Sequence, residues 1–131
     1  MKKTLIILGM LASFGALTGC SNAVETNASR EVVPGIPVKN MVTLVDLGAT
    51  TCIPCKMMAP IIEGLKTEYQ GRAQVIFLDV HEKPEMAKPF ALMAIPTQIL
   101  YDRHGKEVFR HVGFLEQKAL VEQLNQWLAA K

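Results

Sequence analysis

The chain has 131 residues, half of them hydrophobic, and a formal net charge of +2. That length suits one domain. Lys2 and Lys3 supply both excess positive charges, and residues 20–131 balance at 12 basic and 12 acidic side chains, so no basic patch or reading motif points to nucleic acid.

In chain order, Lys2 and Lys3 precede a stretch without charge from Thr4 to Gly19. A short basic start followed by an apolar run reads as a signal peptide over residues 1–19. The run is too short and too broken by glycine for a transmembrane helix, which needs about 20 apolar residues. Leu17-Thr18-Gly19-Cys20 resembles a bacterial lipobox, in which the cysteine is acylated and becomes the first residue of the mature chain. The expectation is an extracytoplasmic protein, lipid-anchored through Cys20 to a bacterial membrane and facing the periplasm in a Gram-negative cell. The alternative is an ordinary signal peptide or an uncleaved anchor. A lipid on Cys20 also removes the odd cysteine from redox chemistry. Residues 20–40 read as the lipidated cysteine and a flexible tether, small and polar from Ser21 to Val33 and punctuated by Pro34-Gly35-Ile36-Pro37. A coil of about 15–20 residues reaches on the order of 20–25 Å. The folded domain is expected over residues 41–131, enough for one modest core.

Met41 to Gly48 is a short apolar run rich in β-branched residues and reads as a buried strand. From Pro54 to Tyr69, Met58, Ile61, Ile62, Leu65 and Tyr69 fall at helical spacing, with a kink expected at Pro60 and a glycine cap at Gly71. Ala73 to Val80 is a second continuous apolar run, as central parallel strands tend to be. Strand, helix and strand in about 40 residues make a right-handed βαβ unit. Lys83 to Leu92 predicts a short helix, with Pro84 in its first turn and Pro89 making it irregular. Thr97–Asp102 and Lys106–Gly113 are two strands joined by a hairpin-like turn at Arg103-His104-Gly105. From Glu116 on, Leu120, Val121, Leu124, Trp127 and Leu128 mark an amphipathic helix. The order is β-α-β-α-β-β-α.

Cys52 precedes the first helix and Cys55 lies in its first turn. A helix N-terminus presents unpaired N–H groups and partial positive charge, which favour a thiolate at Cys52. Pro54 has no N–H to leave unpaired and suits the first turn. Lys56 adds a weak positive charge. The chemistry this predicts is dithiol-disulfide exchange: Cys52 attacks a substrate disulfide, and Cys55 resolves the mixed disulfide to leave Cys52–Cys55 oxidised. Three other readings compete. Haem attachment needs a histidine after Cys55, where Lys56 stands. Structural zinc needs about four ligands, and His81, His104 and His111 are scattered. Copper handling through the two thiolates, with Met57 and Met58 following, is the stronger metal alternative, although methionine at helical spacing is commonly core. A non-catalytic interaction module is a further class, and the presence of both cysteines argues against it.

The stretch Val45 to Pro60, VDLGATTCIPCKMMAP, resembles the strand, active site and helix of the thioredoxin family. Ala94-Ile95-Pro96-Thr97 is similar to that family's cis-proline loop, and Tyr101 to Phe114 to its hairpin. The resemblance covers roughly residues 40–131. It implies a thioredoxin-like α/β fold with a central four-stranded mixed sheet flanked by helices. It implies Pro96 as a cis-proline opposite the cysteines, with the backbone of Ile95 exposed to pair with a substrate strand. It implies Asp46 as a buried aspartate below the site, its pKa raised by burial, taking the proton from Cys55. Thr51, Ile53, Pro54, Ile95 and Pro96 then line the substrate groove. Two departures stand out: Thr51 replaces the family's usual tryptophan before the first cysteine, and Phe77 takes the place of a lysine near the buried aspartate. Ile53 also replaces a common glycine. The family includes reductants and oxidants, and the proline before Cys55 and the isoleucine before Pro96 resemble the reducing end. The resemblance thus implies a monomeric protein-disulfide reductase that needs no cofactor and no metal. Its partners are disulfide-bearing or dithiol proteins and a membrane-bound electron donor, because the compartment outside the cytoplasm is oxidising. A disulfide oxidase or isomerase is the alternative direction.

Overall fold

The computed structural model describes residues 34–130. The signal segment, Cys20 and the tether up to Val33 lie outside the described residues. The elements follow the predicted order: β1 (Val42–Gly48), α1 (Ile53–Glu68), β2 (Ala73–Asp79), α2 (Pro84–Ala87) continuing into a 3-10 turn (Lys88–Phe90), β3 (Thr97–Tyr101), β4 (Glu107–Val112) and α3 (Gln117–Ala129). The sheet runs β2-β1-β3-β4. β1 is parallel to β2 and antiparallel to β3, and β3 is antiparallel to β4. β1 is therefore central, which is why all seven of its residues are buried and why it reads as an unbroken apolar run.

Side-chain alternation splits that run between two cores. Val42 and Leu44 face α1 and α3 and pack with Met58, Ile62, Leu65, Val75, Leu100, Leu120 and Leu124. Val45 and Leu47 face the other side and pack with Phe90, Ile99 and Tyr101. Asp46 has the parity of Val42 and Leu44, so its carboxyl points to the α1 and α3 face. The helix α1 runs through Pro60 without a break, turning Cys55, Met58, Ile62 and Leu65 inward. It ends at Tyr69, and the chain turns on Gly71, whose φ of +77° favours glycine. Met58 is core, as its helical spacing implied, whereas Met57 is exposed.

Residues just ahead of Met41 also pack against the domain. Ile36 is buried and belongs to the second core. Val38 N donates to Thr43 Oγ1 at 3.0 Å. Pro37 lies against the turn at Gly105, where an added Cβ would stand 3.2 Å from the proline Cγ. Proline and glycine mark a turn in the sequence, but whether the turn packs depends on strands distant in the chain.

Candidate active site

The site is built at the C-terminal end of β1. Cys52 is the N-cap of α1 with extended backbone (φ −88°, ψ 125°), and its sulfur accepts from Cys55 N at 3.4 Å. Pro54 falls in the first turn, where its missing N–H costs no helical bond. Cys52 and Cys55 form a disulfide with Cα atoms 5.2 Å apart. Cys52 is partly exposed and Cys55 is buried, so only one sulfur is presented to a partner. Gly48 permits this closeness: a Cβ there would stand 3.3 Å from Cys55 Sγ and 3.1 Å from the Phe77 ring. Beside Cys55 an apolar cleft of about 160 Å³ opens between α1 and Phe77, bordered by Ala59 and Ile62.

Asp46 lies two residues before Gly48 on the same strand face, about 7 Å back along β1. It is fully buried. Its register neighbours are Phe77 on β2 and Gln98 on β3. Gln98, also fully buried, donates from Nε2 to Asp46 Oδ1 at 2.9 Å. Burial pushes the Asp46 carboxyl up to about 6, against the smaller opposing effect of the Gln98 bond.

The Ile95–Pro96 bond is cis. β3 starts at Thr97, which pairs with Leu47, so Pro96 stands level with the end of β1. Thr97 Oγ1 donates to Ala94 O at 2.6 Å and Gly113 N donates to Pro96 O at 2.8 Å, holding the loop on either side of Ile95. The rim is apolar at Ile53, 75% exposed, and at Met93, 93% exposed. It is polar at Thr51, whose hydroxyl lies 3.2 Å from His81 Nδ1. Asp79 organises that side. Its carboxylate accepts from Thr50 N at 2.9 Å, His81 N at 2.9 Å and Glu82 N at 3.1 Å. These backbone bonds, that of Thr50 foremost, hold its pKa below the usual carboxylate value.

Comparison with known proteins fits this geometry. The thioredoxin family model matches residues 24–126. The chain belongs to the thioredoxin family. Thioredoxins of Staphylococcus aureus strains Mu50 and MW2 are each 43% identical over 91 residues, covering 70% of this chain and 86% of theirs. A crystal structure of a thioredoxin from Nicotiana alata superposes with a TM-score of 0.60 at 33% identity, covering 77% of this chain and 79% of that one. The fold is thioredoxin-like, and the protein is a thiol-disulfide oxidoreductase of thioredoxin type, a class that acts on disulfide-bearing proteins.

Within that family frame, the register explains one departure noted in the sequence. Phe77 is directly across from Asp46, so β2 offers the carboxyl an aromatic wall and no cation. The polar partner comes from the other side, as Gln98. Gln98, Asp79 and His81 were not singled out from the sequence as site residues. Gln98 carried a usable signal, a long polar side chain at an inward position of a strand otherwise apolar. Asp79 and His81 carried none, because their roles depend on pairing β2 beside β1.

Proposed function

We propose that the protein is a lipid-anchored, extracytoplasmic reductase of protein disulfides. The observation that carries the reductive chemistry is the asymmetry of the two sulfurs: Cys52 capping a helix at the surface, Cys55 buried behind it, and Asp46 one same-face strand position below. In the reduced protein, the N–H groups of the first turn of α1 stabilise a thiolate on Cys52. That thiolate attacks one sulfur of a substrate disulfide, and the other substrate sulfur leaves as a thiolate. Cys55 then gives its proton to the Asp46 carboxylate. Its electron pair forms the Cys52–Cys55 bond, and the second substrate sulfur leaves. The substrate gains two electrons and takes its protons from solvent. Thr51, Ile53, Pro54, Ile95 and Pro96 form the groove in which a substrate strand lies.

The signal segment and the Cys20 lipobox resemblance support the anchor and the location. Outside the cytoplasm the spent disulfide must be reduced again, and a membrane-bound electron donor supplies that role. The test is mixed-disulfide trapping in the native host. Cys55→Ser should accumulate partners bound through Cys52 in the membrane fraction, and adding Cys20→Ala should move the same complexes to the soluble fraction. Capture by Cys52→Ser would reverse the roles, and insulin reduction retained by both single variants would overturn the assignment of either role. Soluble complexes with Cys20 intact would remove the anchor. A potential above about −180 mV against glutathione would turn the reading from reductase to oxidase or isomerase.

A further inference from the structure

Asp46 and Gln98 are each bonded to the other, yet each keeps a buried oxygen without a partner: Asp46 Oδ2 and Gln98 Oε1. Buried polar atoms are nearly always paired, so two orphans on one bonded pair call for an explanation. Both are acceptors while Asp46 is ionised. A carboxylic acid differs from a carboxylate by one O–H donor. A single proton on Oδ2 therefore supplies the donor that Oε1 lacks and gives Oδ2 a bond of its own.

We propose that Gln98 is a positioning residue for the proton of Asp46. With Asp46 neutral, the two side chains close a two-bond ring, Nε2–H to Oδ1 and Oδ2–H to Oε1. Ionisation opens the second bond and leaves two buried acceptors without a donor. The surroundings favour the closed state. The pair sits in a cross-sheet row of Phe77, Asp46, Gln98 and His111, one residue from each strand. The same face receives Cys55, Met58 and Ile62 from α1 and Leu120 and Leu124 from α3. Cys55 and His111 are the titratable groups among these, and His111 pairs its Nε2 with Phe114 O at 3.3 Å. The row holds no lysine or arginine beside the carboxyl, which agrees with the upward shift that burial gives it.

The consequence for exchange rests on the proposed function. When Cys55 passes its proton to Asp46, Gln98 Oε1 is the acceptor that receives the new O–H and fixes the proton on Oδ2. The ring itself is independent of turnover and is tested in the oxidised full chain, where Cys55 carries no proton. With labelled glutamine side chains, Gln98 Cδ and Nε2 should titrate at the same midpoint as Asp46 Cγ. On the acid side Cδ should move as for a carbonyl gaining a hydrogen bond. In difference infrared spectra, the C=O stretch of protonated Asp46 should rise in frequency in Gln98→Leu. In Gln98→Glu the two carboxyls should share one proton, one ionising early and the other holding its proton beyond the wild-type midpoint. Gln98 resonances that stay flat through the Asp46 transition, or an unchanged C=O band in Gln98→Leu, would overturn the ring. A ring that forms while Asp46→Asn resolves mixed disulfides at the wild-type rate would leave the ring standing and remove Asp46 from exchange.

Discussion

Asp46 and Asp79 lie on neighbouring strands, two register positions apart, and their carboxyls are driven in opposite directions. Asp46 is in the middle of the sheet with one hydrogen bond for two oxygens. Asp79 stands at the end of β2, where the strand stops and backbone N–H groups are free to converge, and it collects three of them. Burial without donors favours the neutral acid, and donors without burial favour the anion. The same side chain is thus held toward the neutral acid inside the sheet and toward the anion, as a clamp on backbone N–H groups, at the rim.

The comparison breaks most sharply at Asp46. The folded chain binds the Asp46 proton more tightly than the unfolded chain does, so stability declines as pH rises from 3.8 to about 6 and stays lower above. Asp46→Asn removes that penalty. The oxidised variant should gain up to about 3 kcal/mol at pH 7.5 and nothing at pH 3.5 in denaturant titrations at the two pH values. Its resolution of the mixed disulfide should slow by about 10²-fold, the low end of general-base effects. A smaller effect is expected at the rim. Asp79→Ala should speed amide exchange at Thr50, His81 and Glu82 and lower kcat/KM by roughly three- to tenfold through a misplaced loop before Cys52. In the wild type the clamp is complete above the ordinary carboxylate value of 3.8 and opens as pH falls through the lower folded value. The smallest effect separates backbone from side chain. His81→Ala keeps the amide that Asp79 holds and loses only the ring beside Thr51. Its stability should stay within about 0.5 kcal/mol of wild type, with Thr50 exchange unchanged. A His81→Ala effect as large as that of Asp79→Ala would mean that the clamp works through the imidazole.

What could be read from the sequence was what is local. Cys52 and Cys55 with Pro54 at a helix start require only a spacing of three and a run of apolar residues at helical period. The element order was legible for the same reason, down to the irregular helix at Pro84 and Pro89. The inward parity of Asp46 follows from counting along one strand. The partner of Asp46 does not, because Gln98 reaches it only when β3 lies beside β1, and two helices, a strand and a 3-10 turn separate the two residues in the chain. Thr51 was visible as an oddity, but its contact with His81 is fixed by the pairing of β1 with β2. Ile36 lies in the proline-punctuated join that reads as tether, and its burial in one core with Val45 and Tyr101 depends on residues farther along the chain.

The seat of Ile36 and Pro37 has one more consequence. They join the domain at the end where β1 starts and the Gly105 hairpin turns, whereas Cys52 follows the end where β1 finishes. The length of β1, about 20 Å, separates the two. A pull or a restraint applied through the upstream chain therefore acts on the pole farthest from the sulfurs. A protein fused or a surface coupled upstream of Pro34 would therefore meet the domain at the pole opposite Cys52 and leave the exchange of its disulfide unhindered.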